Sequence, residues 1–281
     1  MSKPSHSHRQ DRHRHRGLLS IALVAVGTTT LQRTTTHVVV VAQQQQSSYS
    51  TIDGFSCFRN LDGVMQSMFD LADAYPHLAS VTDIGDSYMK ISGGGSTATT
   101  NQNAGWGLPT AGHDIYAMNI TASSGDSLYQ SSSVTTTNKG RILITSGMHA
   151  RELAPPELTM RLAEHLLQSY GVDSDIAWLL HHTEIHIIFH VNPDGRYIAE
   201  NYQELSWRKN GDDNERCSDD GFLFGVDINR NFDFIWGDLS GSSDDPCSDT
   251  YHGVAPASEP ETQTVCAFLF GNVFQSLRWN D

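Results

Sequence analysis

The 281-residue chain has 18 basic and 32 acidic residues, a net charge of −14, with 38% hydrophobic residues and five tryptophans. That apolar content is enough for a buried core, and the length suits one large α/β domain or two small ones. The charge is uneven: residues 1–42 hold six of the basic residues and one acidic residue, so the remainder carries −19. Such an acidic body excludes a nucleic-acid partner, whose phosphates need a basic patch, and suits a soluble protein in a salty or extracellular setting.

Residues 1–42 read as a signal peptide or signal anchor. "SHSHRQDRHRHRG" is a basic flank, and "LLSIALVAVG" is an apolar run too short to span a bilayer stably. Val40 and Ala42 are the small residues before a cut after Ala42. The expected location is extracellular, with no stable membrane partner unless the segment stays uncleaved as an anchor. His6, His8, His13, His15 and His37 are read as part of the flank rather than as a metal site. Four cysteines (Cys57, Cys217, Cys247 and Cys266) form an even set, which in a secreted chain invites pairing with three connectivities open. "NIT" at Asn119 is a glycosylation sequon that matters in a eukaryotic secretory route.

Residues 43–57 read as a polar linker, and 58–281 as one domain without internal repeats. "LDGVMQSMFDLADAYP" places Leu61, Val64, Met65, Met68, Phe69 and Leu71 on a helical stripe ended by Pro76. "LASVTDIGDS" reads as a strand and turn, and residues 92–112 as a Gly/Ser/Thr/Asn-rich loop before "DIYAMNI". "RILITSG" is a compact apolar strand. Pro155 and Pro156 suit the first turn of the helix "ELTMRLAEHLLQSYG", which Gly171 ends. "IHIIFHVNPDG" is another strand into a turn, and "FLFGVDINRNF" a third strand ending in polar groups. Strands alternating with helices predict a mixed, largely parallel twisted sheet flanked by helices.

Two H-x-x-E matches occur. His149 and Glu152 lie between the carboxyl end of a strand and the start of a helix, where open α/β sheets place ligand sites. His181 and Glu184 lie at the start of a strand, the usual silent end. His186 and His190 share a face of "IHIIFH" and read as structural histidines with backbone partners.

The ordered blocks "GRILITSGMHARELAPPELTMRLAEHLLQSYG", "EIHIIFHVNPDG", "SWRKN", "GVDINRNF" and "CSDTYHGVAPASEPET" resemble the zinc metallocarboxypeptidases of the carboxypeptidase A and T type, over about residues 58–270. The resemblance implies an exopeptidase that removes C-terminal residues from peptides and proteins, with one zinc ion. By its motifs, His149 and Glu152 match two zinc ligands, and Asp227 matches a carboxylate that orients the histidine ligand. Arg208 matches the arginine that holds the developing oxyanion. Asn229 and Arg230 match the pair that grips the substrate's terminal carboxylate, and Arg151 matches a more distant substrate contact. Cys217 and Cys247 match a disulfide that clamps a loop. Without the family, Arg208 reads as a surface partner of Glu204, and Asp227 with Arg230 as a simple ion pair. Cys57 and Cys266 have no counterpart and stay open as free thiols or a second bridge.

The sequence also departs from the family. A third zinc-binding histidine is expected in an "S-x-H-S" block after "ETQTVCAFLF", and a glutamate that activates water later still. The last histidine is His252, and "GNVFQSLRWND" does not resemble that block. The expectation is therefore a domain incomplete at the C-terminus, with the last part of the sheet missing, inactive or poorly folded as written. The alternative reading is a non-catalytic, peptide-binding pseudoenzyme of the same fold. A zinc enzyme acting on cell-wall peptides or amide-linked side chains fits less well, because the Asn229–Arg230 pair wants a free carboxylate.

Overall fold

The computed structural model describes residues 49–93, 111–123, 139–202, 205–214, 216–217, 223–238 and 241–273. Residues 1–42, expected to be a signal segment, the middle of the 92–112 loop and Glu204 lie outside the described residues. The first described elements are short strands β1 (Thr51–Ile52) and β2 (Phe55–Arg59), paired antiparallel. The linker expected through residue 57 therefore gives way to a hairpin at Thr51.

Helix α1 (Leu61–Ala74) follows the predicted stripe. The Asn60 side chain accepts the Gly63 N–H at 2.8 Å and caps its start. Strand β3 (Ala79–Asp86), short helix α2 (Tyr88–Ile91) and strand β4 (Asp114–Ile120) come next. Strand β5 (Gly140–Thr145), helices α3 (Ala154–Ser169) and α4 (Ser174–His182), and strand β6 (Thr183–Ile188) complete the sheet and its cover. The chain continues through α5 (Pro193–Asn201), the single turn α6 (Ile228–Asn231), α7 (Pro260–Phe268) and a π-helical turn over Leu269–Val273.

The four strands run in the order β3-β4-β6-β5. The sheet is mixed and flanked by helices, as expected. Among the described strands the parallel pairing is confined to β5–β6, while β3–β4 and β4–β6 are antiparallel. Among the described strands β5 lies at the end of the order, with Ile142 exposed. "FLFGVDINRNF" is not a strand. Phe224 makes an isolated bridge to Arg216, and Ile228 onward turns into α6 because the Asp227 side chain caps that turn.

Side chains alternate across the sheet, and two cores result. Met118 and Ile120 of β4 with Ile185 and Ile187 of β6 face α1, α3 and α4, meeting Met68, Met160, Leu167 and Leu180. Ile115, Ala117 and Ile188 face the other way, toward Ile228, Val265 and Phe268. Each such side chain contributes about 1.5–3 kcal/mol by leaving water. On this second face a cavity of about 410 Å³ is lined by Ser80, Thr82, Asn119, His186, Phe268 and Asn272. Asn119, the asparagine of the sequon, sits in β4 between Ser80 and His186 with its Oδ1 buried. Among the described residues no helix is long and apolar enough to cross a membrane.

A buried cation ties the hairpin to α3. Arg59 is 2% exposed; its backbone N–H and Nη1 donate to Glu157 at 3.1 and 2.9 Å, and Nη2 pairs with Glu164. The Tyr49 ring covers the guanidinium at 3.8 Å. Glu157→Ala removes the main counter-charge and should cost about 3 kcal/mol in urea denaturation, because a buried charge loses its partner. A cost below about 1 kcal/mol would mean that Glu164 and Tyr49 suffice.

Candidate active site

β5 ends at Thr145, and its pairing with β6 persists into the following turn: Ser146 N–H donates to Ile188 O, Val191 N–H to Ser146 O and Asn192 N–H to Gly147 O. Gly147 takes φ 61°, and a Cβ there would lie 2.6 Å from His190 Nδ1, so the position needs glycine on both counts. The turn then delivers His149, Arg151 and Glu152 before α3 begins, with Pro155 and Pro156 in its first turn as predicted.

His149 is buried and its ring is held from both sides. Nε2 lies 3.1 Å from Asp227 Oδ1, and Nδ1 lies 2.9 Å from Oε1 of the half-exposed Glu152. Asp227 is fully buried. Its Oδ2 accepts from Arg208 Nε and Nη2 at 3.1 and 2.7 Å, and its Oδ1 also accepts the Asn229 N–H at 3.0 Å. Burial pushes this carboxyl's pKa up, but hydrogen bonds from His149 and Arg208 outweigh it and hold the group below its ordinary value. Arg208 thus pairs with Asp227, and among the described residues Asp227 makes no ion pair with Arg230.

The donor chemistry suits a divalent cation at the Nδ1–Glu152 edge. Both ring nitrogens face carboxylate oxygens, which the ring satisfies with two protons, or with one proton at Nε2 and a cation at Nδ1. Among the described residues no group of three or more His, Cys, Asp and Glu assembles to hold a metal ion. The second H-x-x-E match separates: His181 Nε2 meets the Tyr170 hydroxyl at 2.8 Å, while Glu184 accepts from Arg141 at 2.9 Å.

Asn229 and Arg230 sit on α6, whose cap is Asp227. The Arg230 side chain is partly buried and donates to Gly241 O at 3.2 Å and Asn229 O at 3.0 Å. Arg151 donates to Asp249 at 2.9 Å. Cys217 and Cys247 form a disulfide, while Cys57 and Cys266 are free thiols. Lys209 braces the same loop by donating to Pro246 O and Ser248 O.

Three buried asparagines escaped the sequence reading. Asn192 caps α5 by accepting the Gly195 N–H, and its amide donates to Met148 O and Lys209 O at 3.2 and 3.0 Å. Asn210 joins Val226 to α7, and Asn231 donates to His252 O, Ala255 O and Ser258 Oγ. Asn192 carried a readable signal, an Asn directly before a helix-starting Pro; the other two carried none. His186 and His190 lack the backbone partners expected of them: His186 Nε2 and both ring nitrogens of His190 are buried without hydrogen bonds. β6 stops at Ile188, so His190 lies past the strand.

The "Zinc carboxypeptidase" family model matches residues 64–277. The chain belongs to this family. It is 35% identical to carboxypeptidase A2 of Mus musculus over 133 residues, covering 47% of this chain and 30% of that protein. Carboxypeptidase A1 of Sus scrofa is 27% identical over 221 residues, covering 78% and 43%. The crystal structure of thrombin activatable fibrinolysis inhibitor matches with a TM-score of 0.60 and 24% identity, covering 77% of this chain and 44% of that one, a likeness of fold. The chain spans less than half the length of these zinc carboxypeptidase relatives.

Two measurements check the frame around the site. Burial, with Arg196 and His113 adding to it, holds His190 well below its ordinary pKa, so it folds neutral. Its stability contribution is full above the unfolded value of about 6.5 and drains as pH falls below it. His190→Gln should flatten the loss of urea stability between pH 6.5 and 5; an unchanged slope would clear His190. Replacing Cys217 and Cys247 with Ser reopens a loop with a sequence separation of 30 residues. That should cost about 3 kcal/mol, read from the denaturation midpoint.

Proposed function

We propose that the chain carries the metal-binding and substrate-gripping residues of a secreted zinc carboxypeptidase that removes C-terminal residues from peptides and proteins. The observation that carries the reading is the single imidazole of His149, anchored at Nε2 by a buried carboxylate and presented at Nδ1 to Glu152 Oε1 at 2.9 Å. His149 and Glu152 are the residues to hold one zinc ion, and Asp227 fixes the ring that serves it. Zinc, when bound, supplies Lewis-acid polarisation of a carbonyl and of water.

The chain's own side chains take the remaining roles. Arg208 commits Nε and Nη2 to Asp227, which leaves Nη1 to meet an oxyanion. Asn229 and Arg230 receive the terminal carboxylate, Arg230 by giving up its carbonyl contacts for two charge-assisted bonds. Arg151 adds a contact farther out. The basic and apolar start of the chain and the Cys217–Cys247 bridge support an extracellular setting. The second reading is a non-catalytic peptide binder of the same fold, which keeps the carboxylate grip and lacks hydrolysis.

Zinc affinity by equilibrium dialysis tests the first part. His149→Ala and Glu152→Ala should each weaken binding at least 10-fold, and wild-type affinity in both would remove the two residues from the site. Peptides with free and amidated C-termini then separate the readings. Release of the terminal residue from the free peptide alone supports the exopeptidase, while binding without release supports the pseudoenzyme. In either case Arg230→Ala should weaken the free-carboxylate peptide far more than its amide.

A further inference from the structure

Asn210 is fully buried, and its amide Nδ2 donates to two carboxyl groups, Glu259 Oε2 at 2.7 Å and Glu261 Oε2 at 3.1 Å. Both acids lie at the start of α7, 2% and 0% exposed. The other oxygen of Glu261 accepts the Tyr88 N–H at 2.8 Å, and the next amide, Met89, donates to buried Asp194 Oδ2 at 2.9 Å. Three carboxyl groups are thus strung along two adjacent backbone amides and one side-chain amide. Asp194 has His113 Nδ1 at 2.8 Å, and Glu259 has the Ser258 hydroxyl at 2.7 Å. Among the described residues no Lys, Arg or His side chain hydrogen-bonds Glu261.

The ionisable groups facing Glu261 are Asp194 from α5 and Glu259 from the start of α7; the Tyr88 phenol lies against Asp212 and Glu259, and His113 lies beyond Asp194. Glu261 therefore occupies a dry site beside two other carboxyl groups and without a hydrogen-bonded cation. In such a site an acid avoids a large desolvation cost by keeping its proton. We propose that Glu261 is the proton-holding member of a latch that fastens α7 to the Asn210–Asp227 segment, closed while Glu261 is neutral and loosened when it ionises. The latch reaches Asp227 through Asn210: its Oδ1 accepts the Val226 N–H at 2.8 Å and its own N–H donates to Val226 O at 3.0 Å. In keeping with that geometry, burial raises the Glu261 pKa to about 8, with the Tyr88 N–H opposing the shift and Asp194 adding to it.

The latch involves neither metal nor catalysis, so its fate is separate from the proposed function. A folded-state pKa of about 8 against an ordinary 4.5 gives stability that is full below pH 4.5 and drains as pH rises through 8. The experiment follows folding equilibrium and amide exchange from pH 6 to 9 in the full chain, alongside E261Q. Wild type should lose up to about tenfold in its folding constant per pH unit below 8, relative to E261Q, with α7 and residues 210–227 losing exchange protection first. Equal pH slopes in the two proteins would overturn the latch. If E261Q does not fold, infrared spectroscopy of wild type decides: a protonated-carboxyl band at pH 6.5 that vanishes by pH 9.5 supports the proposal, and its absence at pH 6.5 overturns it. E259Q, which removes one neighbouring charge, should move that band's titration to lower pH; an unmoved midpoint would refute the coupling between the two acids.

Discussion

The carboxylate of Asp227 is the group on which the site's geometry depends. It is fully buried and accepts four hydrogen bonds: one from His149, two from Arg208 and one from the backbone of the turn it caps. A buried anion is tolerable only when its lone pairs are filled and a cation stands beside it. Those needs fix three otherwise unrelated segments, the turn after β5, the "SWRKN" loop and α6, at one point. The orientation of His149 then follows from Asp227 rather than from its own backbone.

Around that point the fold relies on neutral amides. Asn192, Asn210 and Asn231 each hold backbone groups of loops that have no strand or long helix to satisfy them. Each side-chain amide presents a donor and an acceptor without the desolvation cost of a charge. The described residues between Trp207 and Asn231 are thereby tied down although they form only one four-residue helix and an isolated bridge. The disulfide and Lys209 secure its outer side, at 247 and at 246–248.

Most of the frame was legible in the sequence because periodicity reports burial. The stripe at Leu61–Leu71 and the prolines at 155 and 156 led directly to α1 and α3. Periodicity was silent where a side chain, not a hydrophobic face, dictates the backbone: "GVDINRNF" looks like a strand until Asp227 caps it. It also cannot say in which order strands pair. The site residues were found by motif order, and His149, Glu152, Arg208 and Asp227 do come together, while the Arg230 side chain turns to Gly241. The pairing of Arg208 with Asp227 had no signal in the sequence, since a contact across 19 residues leaves no local pattern.

The buried ionisable groups fall into two classes, and the division follows from the supply of partners. Arg59 and Asp227 keep their charge because opposite charges are delivered to them, by α3 in one case and by the "SWRKN" loop in the other. His190 has no delivered partner and folds neutral, the same condition that burial imposes on an acid held by amides alone. A charged pair resists changes of pH near neutrality, whereas a neutralised group stores the free energy of its missing charge and releases it when the solvent offers or withdraws a proton. The paired groups lie at the hairpin contact and at the candidate site itself, where geometry must hold. The neutralised histidine lies directly behind the site turn, against Gly147.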